Sequence, residues 1–218
     1  MKIILTGATG FVGREVLKQL LVDKAVAEVV VLTRKSTGIF HPKLKEVITN
    51  DFLDYSKIRQ DLKADACIWC LGVSQLKVSR EEYIRITFDY ALQAAQMMLA
   101  QNPRLRFCFV SGASANQEEK GISLQGRIKG RAERELALLS PNVFLFRPAF
   151  IKPADRYYKR PPVQTIAGYI TSVLDLFSEG FSIDVATLAK CLIEVAKNGS
   201  DVHLLHNVAI RRYQANFN

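Results

Sequence analysis

The residues best suited to chemistry stand near the start of the chain. Thr6-Gly7-Ala8-Thr9-Gly10-Phe11-Val12-Gly13 directly follows the apolar run Ile3-Ile4-Leu5. A strand that feeds a glycine-rich turn and then a helix can grip a pyrophosphate, because turn N–H groups and the positive helix end face the phosphates. Gly7 and Gly10 suit the tight turn and close approach, and Gly13 suits close packing of helix on strand. Thr9, Phe11 and Val12 complete the expected cradle. The spacing G-x-x-G-x-x-G is one residue longer in its first interval than the usual dinucleotide fingerprint. Its place between a strand and the amphipathic run Val12–Leu21 gives the motif its weight.

Other candidates stand at the ends of later apolar runs. After Leu32-Thr33 comes Arg34, where a carboxylate would bind a ribose 2′-hydroxyl and a cation would accept a 2′-phosphate. Arg34 therefore favours NADP, with NAD the alternative, unless it is one more surface cation of a basic protein. Asp51 could accept from the adenine amine beside Phe52, or cap the helix expected near Tyr55. Leu71-Gly72-Val73 would let backbone pass close to the middle of the cofactor, and Pro148 is expected near the nicotinamide.

These residues need a scaffold, and the apolar pattern supplies one. Strands are expected at residues 2–6, 28–33, 46–49, 66–71, 106–111 and 143–147. Helices are expected at 11–22, 55–62, 81–101 and 126–139. That alternation predicts an α/β fold, a doubly wound parallel sheet (Rossmann fold) with ligands at the carboxyl ends of the strands. Residues 1–153 would form the NAD(P)-binding domain and 154–218 a short C-terminal helical extension capping it. The tail should hold helices near 163–177 and 184–197, and a run at 202–210 that adds an edge strand or packs back on the sheet.

The chain has 218 residues, 49% hydrophobic and 23% charged, and a net charge of +9. No apolar run approaches the roughly 18 residues of a membrane span, and the early strand leaves no room for a leader. A cytoplasmic protein without membrane association is expected. Lys and Arg are dispersed, so no nucleic-acid partner is expected. The cluster Arg127–Arg134, with Glu133, reads as a solvated helix. Lys152–Arg160 interleaves aromatics and cations, as a solvated loop or a grip on an anion. Cys67 and Cys70 lie three apart in one expected strand and point to opposite faces, so with Cys108 and Cys191 they read as reduced thiols.

Taken together, these pieces resemble the short-chain dehydrogenase/reductase superfamily. The narrower likeness is to its atypical NAD(P)-binding, NAD-dependent epimerase/dehydratase-like branch, near the Tat-interacting-protein type. Phe109-Val110-Ser111-Gly112-Ala113, Lys129-Gly130-Arg131-Ala132-Glu133 and Phe146-Arg147-Pro148 carry it. The resemblance covers residues 1–153 well and the tail poorly. It implies a Ser or Thr after the fifth strand and a Tyr-x-x-x-Lys pair on the next helix. There Tyr exchanges the proton that accompanies hydride transfer, and Lys lowers its pKa and bonds the nicotinamide ribose. Lys129 fits the Lys position, and Ser111 or Ser114 fits the serine. Gln125 stands where Tyr should be, and it cannot exchange a proton at neutral pH. Three functions follow. The first is an NADP-dependent oxidoreductase on a small carbonyl or hydroxyl substrate, with an altered acid/base set. The second is a non-catalytic NADP(H)-binding sensor or regulator, and the last a nucleoside-diphosphate-sugar epimerase. Oligomeric state is not legible.

Overall fold

A computed structural model describes residues 1–153 and 180–215. Among these residues nine strands run in chain order: β1 (Lys2–Thr6), β2 (Glu28–Thr33), β3 (Leu44–Ile48), β4 (Ala66–Trp69), β5 (Arg106–Val110), β6 (Val143–Arg147), β7 (Phe150–Lys152), β8 (Ser182–Asp184) and β9 (Leu204–His206). Seven of them form one sheet in the order β3-β2-β1-β4-β5-β6-β9, and β7 pairs with β8 separately. Every pairing is parallel. Strands covered on both faces become continuous apolar runs, and Val29, Val30, Val31 and Leu32 are accordingly all buried.

The helices are α1 (Phe11–Val22), α2 (Arg80–Ile84), α3 (Tyr90–Gln101), α4 (Leu124–Leu139), α5 (Val185–Asn198) and α6 (Asn207–Ala215). One apolar core joins α1 and α5 to one face of the sheet through Val16, Leu17, Leu20, Leu188 and Leu192. The other joins α3 and α4 to the opposite face through Ala91, Ala94, Ala95, Ala132 and Leu136. β1 has β2 on one side and β4 on the other. At that reversal of strand order the carboxyl ends of β1 and β4 leave a crevice, the place where such sheets bind ligands.

The structure departs from the expected pattern in four places. The helix expected over 81–101 is interrupted by a wide π turn, Arg85–Asp89. Such a turn brings residues five apart onto one side, and Tyr83 and Phe88 are both buried. Residues Ser56–Leu62 form a 3-10 helix in which only Leu62 is buried, too little apolar contact to hold a longer α-helix. The run expected over 202–210 does supply the edge strand, β9, paired with β6 from Leu145↔Leu204 to Arg147↔His206, but then continues into a helix, α6. Finally, β7 and β8 form a small parallel pair that the pattern did not show. The described part of the tail thus adds a strand to the main sheet and two helices, α5 and α6, to its α1 face. The helix expected over 163–177, Tyr157, Tyr158 and most of the cationic segment 152–160 lie outside the described residues.

All four cysteines are free; Cys67 and Cys70 serve the two opposite cores. Burial pushes the Cys70 and Cys191 thiols up to about 12, away from reactivity. Among the described residues no helix is long and apolar enough to cross a membrane, and no cluster of His, Cys, Asp and Glu could hold a metal.

Candidate functional site: a cleft at the carboxyl ends of β1, β2 and β4

The β1–α1 turn is tightly packed, and each glycine has a different reason to be there. Gly7 has φ 67°, and a Cβ on it would lie 2.5 Å from the Cys70 carbonyl oxygen. The turn is therefore pressed against the end of β4, where Thr6 Oγ1 also accepts from the Leu71 N–H at 3.1 Å. Gly10 N–H donates to the Gly7 carbonyl at 2.8 Å and forms the N-cap of α1. With no side chain at the cap and no acid in the first turn, the positive pole of this helix end is not offset locally. A Cβ on Gly13 would sit 2.1 Å from the Gly7 carbonyl, so Gly13 lets α1 rest on the turn.

Two neighbouring cavities open beside this turn. One of about 450 Å³ is lined by Gly7, Thr9, Leu32, Thr33, Arg34, Lys35, Asn50, Phe52 and Leu71. The other, about 550 Å³, shares Arg34, Asn50, Phe52 and Leu71, and adds Gly72, Val73 and residues of the α2–α3 region. Gly72 faces open space, since a Cβ there would meet nothing within 4 Å. Phe52 is buried, edge-on to Trp69 at 6.2 Å and tilted against Tyr90 at 5.6 Å.

Several expected residues stand apart from these cavities. Gly10, Phe11, Val12 and Gly13 line neither of them. Asp51 also lines neither, and its carboxylate accepts from the Leu53 N–H at 2.9 Å. The capping role open to it is unfilled, since Tyr55 is the N-cap of the Ser56–Leu62 helix with no side-chain cap bond, while Asp54 accepts from Ser56 N–H at 2.9 Å in the turn before it. Asn50, one residue earlier, lines both cavities, and sequence reasoning missed it. It also missed Arg85 and Tyr90, whose cation–ring contact at 5.7 Å borders the larger cavity. The signal for them was hidden by the π turn.

Beyond β4 the site is built differently. Ser111 is buried at the end of β5, its N–H donating to the Phe146 carbonyl at 2.8 Å. Its hydroxyl has no hydrogen-bond partner among the described residues. Lys129 Nζ donates to the Ser111 carbonyl at 2.6 Å. Burial of that ammonium lowers its pKa to about 8, against an opposing pull from Glu133 one turn along. Ser114 is exposed, and its backbone carbonyl abuts Gly126, where a Cβ would come within 2.4 Å. Gly130 has the same origin, since a Cβ there would overlap the Asn116 carbonyl. The backbone N–H of Gln125 donates to the Gln75 side-chain oxygen at 3.1 Å, tying the β4–α2 loop to the start of α4. Ser111, Ser114, Gln125, Lys129 and Pro148 line neither cavity.

The reading of residues 127–134 as a solvated helix is corrected here. Glu133 is fully buried and receives Arg147 through Nε at 2.9 and 3.1 Å and through a terminal guanidinium nitrogen. Gln117 donates to the same carboxylate at 3.1 Å. A guanidinium fork from the end of β6 meets the buried carboxylate and offsets its desolvation.

Against this geometry, residues 3–126 match the sequence profile of the NAD dependent epimerase/dehydratase family. Protein HTATIP2 of Rattus norvegicus is 24% identical over 215 residues, covering 95% of this chain and 87% of the relative. A dTDP-4-dehydrorhamnose reductase from Clostridium acetobutylicum superposes with a TM-score of 0.65 at 18% identity, over 99% of this chain and 81% of that one. Gre2 from Candida albicans, solved in complex with NADPH, superposes with a TM-score of 0.69 at 16% identity, over 94% and 78%. At such identities the superpositions establish a shared fold.

Proposed function

The chain belongs to the NAD dependent epimerase/dehydratase family, and from that premise we propose that it binds NADP(H) and acts as an oxidoreductase on a small carbonyl or hydroxyl compound, with an altered acid/base set. The single observation that carries the cofactor choice is Arg34, which stands at the end of β2 and lines both cavities. Residues 1–153 are proposed as the dinucleotide-binding part, with the tail completing the substrate side.

The residues present fit such a ligand. Gly10 offers an uncapped helix end to a pyrophosphate, and Gly72 leaves open space where backbone must pass close. Phe52, Leu71 and Val73 wall an apolar pocket for a flat base, and Arg34 is placed to take a 2′-phosphate in charge-assisted hydrogen bonds. Bound NADPH supplies or takes up a hydride; the proton that accompanies it must be handled by the chain. Gln125 cannot do this. Lys129, its pKa lowered to about 8, is the titratable group of the expected set. Its ammonium would donate and be refilled from solvent, with the Ser111 hydroxyl beside it available as a bonding partner.

The second reading, an NADP(H)-binding regulator without turnover, is favoured by one observation. The Lys129 ammonium, four residues after Gln125 rather than after a tyrosine, already donates one of its three protons to the Ser111 carbonyl. Titration with NADPH and NADH should show at least a severalfold preference for NADPH, lost in Arg34→Glu. Equal affinities would defeat the NADP assignment. NADPH consumption is then measured for wild type, Gln125→Tyr and Lys129→Ala against aldehydes, ketones and quinones. Wild-type turnover above about 1 s⁻¹, within the usual enzymatic range, would exclude the regulator. Confirmed binding with no turnover in any variant would exclude the reductase.

A further inference from the structure

The Arg34 that would choose between cofactors lies in an exposed connection, residues 34–43. Its start is held locally, Thr33 Oγ1 donating to the Lys35 carbonyl at 2.7 Å and accepting from the Lys35 N–H at 3.4 Å, and the stretch that follows is held by one side chain from the next strand. Glu46 on β3, opposite Val31 of β2, reaches back to this loop. Its Oε2 accepts from the Ser36 hydroxyl at 2.6 Å, and its Oε1 accepts from the Thr37 N–H at 2.7 Å and from the Thr37 hydroxyl. Both hydroxyls are used twice. Ser36 Oγ also accepts from the Gly38 N–H at 3.1 Å, and Thr37 Oγ1 from the Ile39 N–H at 3.2 Å. A carboxylate forces each hydroxyl to point its proton at the acid and its lone pairs at the amides. The loop just beyond Arg34 is thus clamped by one half-buried anion, while Thr49 N–H holds Thr33 on the other side at 2.9 Å.

We infer that Glu46 is a positioning residue for cofactor choice: by clamping Ser36 and Thr37 it holds Arg34 over the cleft before ligand arrives. The inference rests on the proposed NADP(H) reading. A long cationic side chain on an unclamped loop must be ordered during binding, and that entropy is subtracted from affinity. The cost falls only on the ligand that needs Arg34, the 2′-phosphorylated dinucleotide. Loss of Glu46 should therefore lower affinity for NADPH and spare NADH, which a general loss of structure would not do.

Dissociation constants for NADPH and NADH are measured on wild type, Glu46→Ala, Glu46→Gln and Arg34→Ala, through the fluorescence of Trp69, the sole tryptophan. Glu46→Ala should weaken NADPH by about tenfold, one decade of the affinity scale, and change NADH by less than about twofold. Glu46→Gln, which keeps an acceptor oxygen, should retain most of the preference. Hydrogen exchange without ligand should show the Thr37 amide faster in Glu46→Ala. If Arg34→Ala loses the preference while Glu46→Ala keeps it, or binds NADPH more tightly, the positioning role is overturned and the NADP reading stands. Wild type without a preference for NADPH overturns both.

Discussion

The two halves of the sheet's carboxyl edge are made by opposite means. On the β1–β4 side the working parts are backbone, glycine and open volume: Gly7, Gly10, Gly72 and the two cavities that meet at Arg34, Asn50 and Phe52. On the β5–β6 side they are charged side chains already bonded to protein, Lys129 to the Ser111 carbonyl and Glu133 to Arg147. A half that binds a constant ligand can be built ready to receive it. A half whose charges already bond to protein gains structure from them, and any chemistry there must work around those bonds. This is why cofactor recognition is the better supported half of the proposed function.

The largest effect should come from breaking the internally bonded half. Glu133→Ala strands the Arg147 guanidinium in a nearly buried site, and denaturant unfolding should register a loss of about 3–5 kcal/mol. Glu133→Leu combined with Arg147→Met should recover most of it. A single variant as stable as wild type would show that the pair is not structural and reopen it as a functional group.

On the other side, substitutions should separate binding from folding. Gly10→Val sets a branched side chain at the helix end, and should weaken NADPH by about a hundredfold, roughly 2.7 kcal/mol, in a folded protein. Gly72→Ala adds a methyl to open space. It should leave stability within about 0.5 kcal/mol and lower nucleotide affinity severalfold. Gly7→Ala, at positive φ and against Cys70, should instead damage folding itself. Should Gly72→Ala bind as tightly as wild type, the cofactor path would have to be redrawn.

The last effect, a slope in pH and not a single loss, concerns Lys129. Its folded pKa of about 8 lies below the ordinary lysine value of 10.5. Between those values the unfolded chain holds more protons, so stability attributable to this residue rises with pH across that window. Subtracting the pH profile of Lys129→Met should reveal this upward slope from about pH 8 to 10.5. A flat difference would mean that the ammonium is solvated, and the contrast between the halves would lose one of its supports.

Much of the first half was legible because its information is local. Gly7, Gly10 and Gly13 are required by one tight turn, and Arg34 follows a strand whose end is evident from Val29-Val30-Val31-Leu32. Asp51 shows the limit. Asp and Asn occupy adjacent positions after β3, and only the path of the chain decided that Asn50 lines the cleft while Asp51 closes a turn onto Leu53. The π turn was equally hidden, since a repeat of apolar residues on a long helix does not reveal one widened turn.

What the sequence determined by itself is the alternation of strand and helix, the parallel sheet that this alternation forces, and the glycine turn at its first crossover. These depend on periods of two and 3.6 residues and on backbone sterics, which are properties of short segments. The tertiary structure alone decided which charges go inside. Glu133 looks like any acid on a basic helix until Arg147, fourteen positions later, arrives from the end of β6. Glu46 looks like a solvent-facing strand residue until Ser36 and Thr37 fold back onto it. The reason is energetic: a polar side chain carries no intrinsic preference for burial, and whether it can be buried depends on a partner that only the folded chain supplies.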